Sequence, residues 1–212
     1  MRQPVRPGDT GPQGEIIVRV RMHETVSTIA FGGRRRRVYG RIVAFSGARP
    51  GDRVLDVGCS GGFLARLLAA AVTPGGQVTG IDPATAAIAY ARRRAPGTCS
   101  FTVGTAQKLG LPDGSFDVVT STLAIHHIPE PERPAAFGEM YRALRPGGRL
   151  LVADFRPSLS RLALHSGGRA MRHSDPALIG DLAAAAGFRV EKYGDLPLLR
   201  YFQAVRPEGE GA

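Results

Sequence analysis

Residues 54–62 are Val-Leu-Asp-Val-Gly-Cys-Ser-Gly-Gly, an apolar run that ends in a glycine-rich turn. The apolar half predicts a buried strand, and the helical spacing of Leu64, Leu67 and Leu68 predicts a helix directly after the turn. Glycines at such a turn let the backbone approach a ligand, and the amides of the helix N-terminus favour an anionic group. The stretch therefore indicates a ligand-binding loop at the edge of a sheet.

Short apolar runs and amphipathic stretches alternate on both sides of this loop. The predicted strands cover residues 54–57, 78–81, 101–103, 116–120 and 150–155, and the predicted helices begin near Val38, Leu64, Ala84, Phe137 (with apolar positions up to Leu144) and Pro176. This alternation is typical of a parallel, doubly wound α/β sheet with helices on both faces. The last two predicted strands, 189–193 and 198–205, are joined by a short loop, so we expect them to pair antiparallel.

Asp82 ends the second predicted strand, twenty-four residues after Gly58. A carboxylate in this position can accept hydrogen bonds from both hydroxyls of a ribose. The glycine loop lacks the Gly-x-Gly-x-x-Gly spacing that the pyrophosphate of a dinucleotide usually requires. Loop and carboxylate together favour a nucleoside ligand whose anion is a small carboxylate, as in the methionine end of S-adenosylmethionine.

The composition limits the remaining classes of protein. The 212 residues are 43% apolar and 22% charged, which fits one folded domain and not a disordered chain. Lys and Arg outnumber Asp and Glu by 28 to 18, and the net charge of +10 favours anionic partners. The two cysteines, Cys59 and Cys99, have no metal-binding spacing, so no metal is expected. With no apolar leader and no membrane-spanning run, the sequence predicts a cytoplasmic protein.

Further motifs follow the glycine loop and Asp82. They are Val-Gly-Thr-Ala-Gln-Lys-Leu-Gly-Leu-Pro at 103–112, Ser-Phe-Asp-Val-Val at 115–119, His-His-Ile-Pro at 126–129 and Leu-Arg-Pro-Gly-Gly-Arg-Leu at 144–150. With these motifs the chain resembles the class I S-adenosylmethionine-dependent methyltransferases, in particular the small-molecule branch that includes ubiquinone and menaquinone biosynthesis enzymes. The resemblance implies a Rossmann-like, mostly parallel seven-stranded sheet with an antiparallel C-terminal strand. It also implies methyl transfer to O, N or C of a small-molecule acceptor.

The resemblance implies roles for individual residues in binding S-adenosylmethionine. Asp56 would orient the loop and Cys59 would lie within it, although a small buried thiol is the simpler interpretation of Cys59. The other implied contacts are Gly58, Ser60 and Gly62 with the methionine moiety, Asp82 with the ribose, Pro83 with the adenine face, Thr105 and Ala106 with the adenine edge, and Thr122 beside the sulfonium.

Two of these positions depart from the family's usual residues. Glycine is usual where this chain has Ser60, and a serine there is strained if its φ is positive. An acid is common where this chain has Thr105, and a hydroxyl is a weaker acceptor for the adenine amino group. A non-catalytic S-adenosylmethionine-binding module is therefore one alternative.

Histidines and arginines supply the candidate residues for chemistry on the acceptor. His126 and His127 follow the fourth predicted strand and are the candidate catalytic bases, although a polar cap on the next turn would also explain the pair. A lid is predicted at about 156–173, and its arginines favour an acidic or phenolic acceptor. The candidate acceptor contacts are Phe31, Tyr39, His126, Arg169 and Arg172.

An arginine quartet, residues 34–37, opens the first predicted helix, where the helix dipole disfavours cations. It indicates a solvated face, which is the favoured interpretation, or a site for an anionic partner. The charge also allows an RNA or protein methyltransferase as an alternative. Nucleic acid is disfavoured because aromatic residues for base stacking are sparse near the basic runs.

The sequence predicts one catalytic domain with short additions at both ends. A mobile tail is expected at 1–14, an N-terminal helical cap at 15–50, the S-adenosylmethionine-binding domain at 51–206 and a second tail at 207–212. Oligomeric state is left open by the sequence.

Overall fold

The computed structural model describes residues 33–156 and 176–209. Its helices are α1 (Arg35–Ser46), α2 (Phe63–Val72), α3 (Thr85–Arg92), α4 (Arg133–Ala143) and α5 (Pro176–Ala185), with 3₁₀ turns at Ile125–His127 and Glu130–Glu132. Its strands are β1 (Arg53–Val57), β2 (Gln77–Asp82), β3 (Cys99–Val103), β4 (Phe116–Thr122), β5 (Leu144–Phe155), β6 (Arg189–Leu196) and β7 (Leu199–Val205).

The seven strands form one sheet in the order β3-β2-β1-β4-β5-β7-β6. Strands β1 to β5 pair in parallel, whereas β7 runs antiparallel to both β5 and β6. This confirms the predicted Rossmann-like sheet with an antiparallel C-terminal strand. The chain order reverses at β1, which has β2 on one side and β4 on the other, and ligands of such sheets bind at the carboxyl ends of the strands beside this reversal.

Helices cover both faces of the sheet, as the alternating pattern predicts. On one face, buried residues of α1, α2 and α3, including Ile42, Leu68 and Ile88, pack in a single cluster with β1 and β3. On the other face, Phe137 of α4 and Ile179 of α5 pack in a second cluster with residues of β1, β2, β4, β5 and β7. The first helix is thus part of the core, and it closes over the sheet beside β1 and β4.

One predicted boundary is wrong. Leu144 was expected in the helix that contains Phe137, but it is extended and begins β5, where it pairs with Phe116. Arg145 precedes Pro146, and the residue before a proline is disfavoured in helical geometry, so α4 ends at Ala143.

The motifs at 115–119 and 144–150 contribute hydrogen bonds that align strands of the sheet. Asp117 Oδ2 accepts a hydrogen bond of 2.8 Å from the Arg53 amide, and Asp117 Oδ1 accepts one of 2.6 Å from Arg145 Nε. The carboxylate therefore joins the beginnings of β1, β4 and β5. These contacts fix the alignment of strands whose carboxyl ends form the site.

Several predicted features lie outside the described residues. They are the tail at 1–14, Phe31, Arg169, Arg172 and residues 157–173 of the predicted lid. Across the part of the chain that the structure describes, no helix combines the length and apolar character needed to cross a membrane.

Candidate active site

The glycine loop has the backbone geometry that its sequence requires. Gly58 and Gly62 have φ values of 75° and 74°, and Ser60 between them has a φ of 47°. Ser60 therefore has the positive φ at which strain was expected, because a left-handed conformation is unfavourable for a residue with a Cβ. A Cβ at position 58 would lie 2.2 Å from the Cβ of Ala124, so only glycine fits between β1 and the chain that leaves β4.

The expectation that helix N-terminal amides face an anion concerns α2, which begins at Phe63, and stays a prediction. The loop amides before this helix are bonded within the protein. The amides of Gly58 and Cys59 donate to the carbonyl of Ile81 at 2.8 and 3.0 Å, and the Ser60 amide donates to Asp82 Oδ2 at 2.9 Å. Because β2 supplies these acceptors, the loop is held to the neighbouring strand and not left open for an anion.

Gly62 was expected beside the methionine moiety, and that contact stays a prediction. Gly62 lines neither of the cavities described below, and its amide donates to the Cys59 carbonyl at 2.9 Å. A Cβ at this position would lie 2.7 Å from the Phe101 ring, so the glycine allows the start of α2 to pack on β3. Its role is in the shape of the loop.

The larger cavity, about 580 Å³, opens at the carboxyl ends of the strands beside the reversal of chain order. It brings together all the residues predicted for the ribose, the adenine and catalysis, and two of those predicted for the methionine moiety. Those that line it are Gly58, Ser60, Asp82, Pro83, Thr105, Ala106, His126 and His127.

Asp82 has structural contacts in addition to its place in this cavity. Its Oδ2 accepts from the Ser60 amide and its Oδ1 accepts from the Ala84 amide, each at 2.9 Å. A carboxylate oxygen can accept more than one hydrogen bond, so both oxygens retain capacity for a ligand hydroxyl. Asp82 is therefore fixed in direction by its own backbone surroundings.

A smaller cavity of about 80 Å³ adjoins the first, and Gly58, Ser60 and Leu123 line both. Three more of the predicted cofactor contacts line the smaller cavity: Asp56, Cys59 and Thr122. Tyr39, predicted as an acceptor contact, lines this cavity and is absent from the lining of the larger one. Burial raises the pKa of the Cys59 thiol far above its usual range, in agreement with a small buried side chain.

Arg35 of α1 also lines the smaller cavity, and sequence analysis did not single it out. Its side chain is only 8% exposed, and its guanidinium lies 4.0 Å from the centroid of the Phe63 ring. Burial raises the pKa of Tyr39, and the hydrogen-bonded Arg35 beside it opposes the rise. Arg34, Arg36 and Arg37 are exposed, so the quartet divides into one buried cation and a solvated face.

The smaller cavity is also lined by acidic and polar side chains. Asp56 is 2% exposed and its Oδ1 accepts from Thr120 Oγ1 at 3.0 Å. Burial raises the pKa of Asp56 to about 7. Among residues 33–156 and 176–209, Asp56 Oδ2 and Thr122 Oγ1 are buried without a hydrogen-bond partner. Buried polar atoms are normally paired, so both indicate a missing partner, and the ammonium group of a ligand is one group that both oxygens could accept from.

The smaller cavity thus fits the two charged groups of an α-amino acid. The guanidinium of Arg35 is suited to a carboxylate, and the oxygens of Asp56 and Thr122 are suited to an ammonium group. The smaller cavity joins the larger one, which contains Asp82, a carboxylate suited to the hydroxyls of a ribose. Together the two cavities fit a nucleoside that carries an amino-acid tail.

His126 belongs to a buried pair that lies at the far end of the larger cavity. The 3₁₀ turn after β4 places its Nδ1 at 2.7 Å from Oδ1 of Asp154, near the end of β5, and the His126 amide donates to Asp154 Oδ2 at 3.2 Å. Asp154 is fully buried and His126 is 8% exposed. A carboxylate that accepts from Nδ1–H leaves Nε2 as the proton-accepting nitrogen.

Asp154 is the second functional residue that sequence analysis missed. An acid inside the otherwise apolar run 150–155 was the available signal. His127 differs from its neighbour because it is exposed, and its ring centroid lies 3.9 Å from that of His126. The structure therefore separates the two predicted bases into a buried, oriented His126 and a surface His127.

The fold and these paired cavities define a Rossmann-like α/β protein with a nucleoside site at the reversal of chain order. A family model for methyltransferase domains matches residues 54–148. The "Ubiquinone/menaquinone biosynthesis C-methyltransferase UbiE" of Methylobacterium nodulans is 34% identical over 173 residues, which cover 76% of this chain and 67% of that protein. This chain belongs to the S-adenosylmethionine-dependent methyltransferases.

Two further proteins show how far the likeness extends. The demethylmenaquinone methyltransferase of Symbiobacterium thermophilum is 32% identical over 144 residues, which cover 66% of this chain but only 57% of that protein. An S-adenosylmethionine-dependent methyltransferase of Aquifex aeolicus shares the fold with a TM-score of 0.68 at 21% identity, covering 79% of this chain and 89% of that structure. The chain thus spans a little over half the length of the first of these relatives.

The raised pKa of Asp56 predicts a pH-dependent effect of Asp56→Asn on stability. Because the pKa is about 7 in the folded protein and 3.8 in the reference state, the charged carboxyl destabilises the fold progressively as pH rises from about 4 to 7. The free energy of unfolding is measured by urea titration without ligand. As the pH rises from 5 to 8, the wild-type value should therefore fall relative to that of Asp56→Asn. Asp181→Asn, at an exposed position, is the control. If the difference between wild type and Asp56→Asn is as independent of pH as that for Asp181→Asn, the raised pKa of Asp56 is contradicted.

Proposed function

We propose that this chain transfers a methyl group from S-adenosylmethionine to a small-molecule acceptor, with His126 as the group that takes the acceptor's proton. The observation that carries the proposal is the pair of adjoining cavities, one with opposite charges for an amino-acid tail and one that ends at the His126–Asp154 pair. The family assignment supports the choice of donor.

In this proposal the smaller cavity holds the methionine tail of the donor. Arg35 binds the carboxylate, while Asp56 Oδ2 and Thr122 Oγ1 accept from the ammonium group. The buried charges of the protein are then neutralised by the ligand's own charges, which offsets the desolvation of both. Binding of the ammonium group favours the ionised form of Asp56.

The larger cavity holds the adenosine and, beyond it, the acceptor. Asp82 accepts from the ribose hydroxyls, Pro83 lies against the adenine face, and Thr105 and Ala106 lie at the adenine edge. The cavity then continues past Leu123 to His126. Thr122, at the end of β4, is placed beside the sulfonium.

S-adenosylmethionine, when bound, supplies a methyl group that its sulfonium already makes electrophilic. The chain has to align the acceptor, which lowers the barrier by about 7–11 kcal/mol in well-oriented reactions, and to remove a proton. His126 Nε2 takes that proton, and Asp154 holds the ring orientation and stabilises the imidazolium that forms. A positioned base of this kind contributes roughly 10²- to 10⁴-fold.

The acceptor is a small molecule that fits inside the larger cavity, and the names of the relatives favour a quinone-like or phenolic ring. The predicted acidic character of the acceptor depends on Arg169 and Arg172 and stays a prediction. The cytoplasmic location also stays a prediction; the free Cys59 and Cys99 agree with it.

Replacement of Arg35 should affect only ligands that carry the amino-acid tail. S-adenosylhomocysteine has this tail, whereas 5′-methylthioadenosine lacks it. Because a hydrogen bond to a charged group contributes about 1.5–3 kcal/mol, we expect Arg35→Met to weaken S-adenosylhomocysteine binding roughly 10- to 100-fold in calorimetry. The same variant should bind 5′-methylthioadenosine like wild type. The exposed neighbour provides the matched control, since Arg36→Met should bind both ligands normally. Equal weakening of both ligands by Arg35→Met would count against a carboxylate anchor.

The His126–Asp154 pair should determine the rate and not the affinity for the donor. His126→Ala is expected to lower kcat roughly 10²- to 10⁴-fold with acceptors from a panel of hydroquinones and phenols, and Asp154→Asn should also lower it. His127→Ala is the matched control and should change kcat only slightly. Raising the pH above the acceptor's own pKa should partly restore His126→Ala, because an ionised acceptor needs no base. If His126→Ala keeps the wild-type rate at neutral pH, the pair has no role in proton removal.

A further inference from the structure

Two leucines in the larger cavity have a backbone conformation that leucine rarely adopts. Among the described residues, the non-glycine positions with positive φ are Ser60, Leu123 and Leu198, with φ values of 47°, 57° and 69°. Both leucines line the larger cavity. Left-handed geometry is unfavourable for a residue with a Cβ, and strain of this kind concentrates at functional sites.

Leu198 occupies a turn position where glycine or asparagine is expected. Leu196 pairs with Leu199, so Pro197 and Leu198 form a two-residue connection between β6 and β7. A proline followed by a residue with positive φ is the pattern of a turn whose second central position favours glycine. The turn alone therefore does not explain a leucine.

Leu123 is the residue that directly follows β4. Its amide donates to the carbonyl of Ala153 at 2.8 Å, which continues the β4–β5 pairing by one residue. The left-handed turn at Leu123 then directs the chain into the 3₁₀ turn of His126. Its side chain lies where the two cavities meet.

The two leucines and Phe155 form one apolar surface beside His126. All three are partly buried and pack against the same core cluster. The carbonyl of Leu198 accepts from the Arg156 amide at 3.1 Å, which places the turn over the end of β5. The Phe155 ring centroid lies 5.4 Å from that of His126. An apolar wall therefore borders the proton-accepting side chain.

We infer that Leu123 and Leu198 are specificity-determining residues that hold a neutral or weakly acidic aromatic ring, with apolar substituents, against Phe155 and beside His126. This inference rests on the proposed function, since it concerns the acceptor end of the same cavity. An apolar wall formed by Leu123, Leu198 and Phe155 favours a fused or alkyl-substituted ring over a small charged acid, because a charged group loses hydration against it.

Binding of menadione, a fused-ring quinone, in the presence of S-adenosylhomocysteine tests this inference without requiring catalysis. Leu198→Asn and Leu123→Asn introduce a residue type that tolerates positive φ, and they replace the apolar side chain with a polar one. Each variant should weaken menadione binding roughly 10-fold or more, with a Tm close to that of wild type. Leu198→Asn should also keep S-adenosylhomocysteine binding close to wild type, because Leu198 does not line the smaller cavity that holds the amino-acid tail. Leu178→Asn is the matched control, because Leu178 is an exposed leucine that lines neither cavity. Wild type should also prefer menadione to p-hydroxybenzoate, and the two variants should reduce that preference.

Two results would overturn the inference. One is wild-type menadione affinity in both leucine variants, and the other is a wild-type preference for p-hydroxybenzoate, which would indicate an acidic acceptor. Failure of the proposed function is distinguishable from both, because it would appear as no binding of S-adenosylhomocysteine by wild type or no methyl transfer to any acceptor that binds.

Discussion

The close approach of β1 and β4 at their carboxyl ends is the constraint on which the rest of the site depends. The backbone at Gly58 lies so near Ala124 that a Cβ would approach its methyl group to 2.2 Å, and the loop amides bond to Ile81 and Asp82 of β2. Glycine at position 58 therefore allows three strand ends to meet. Both cavities, and the turn that carries His126, are positioned by this contact.

Charges buried around this contact explain why the site requires a ligand of matching charge. Arg35 and Asp56 are both buried in the lining of a small cavity, and a buried charge is costly unless it is well paired. The raised pKa of Asp56 indicates that the free protein relieves part of this cost by binding a proton. A ligand with both an ammonium and a carboxylate group would instead pair its ammonium with Asp56 and its carboxylate with Arg35. Binding of the donor and protonation of the site are therefore linked.

Local sequence patterns were sufficient to predict the sheet, the antiparallel C-terminal strand, and the convergence of Asp82, Ala106 and His126 on one cavity. Parallel strands place residues from their carboxyl ends at one edge, so order along the chain translates into proximity. Arg35 and Asp154 could not be predicted in this way. Arg35 differs from its neighbours only in the face of α1 on which it lies, and Asp154 becomes significant only through its contact with a histidine 28 residues earlier. The hydrogen bonds of the Gly58, Cys59 and Ser60 amides could not be predicted either, because their acceptors lie on another strand.

A crystal structure of the chain with S-adenosylhomocysteine tests the central claim most directly. We expect the ligand's carboxylate at hydrogen-bond distance, about 2.7–3.2 Å, from the Arg35 guanidinium, with its ammonium group at a similar distance from Asp56 or Thr122. A tail that points away from the smaller cavity, or a carboxylate bound by the loop amides while Arg35 and Asp56 stay unliganded, would contradict it.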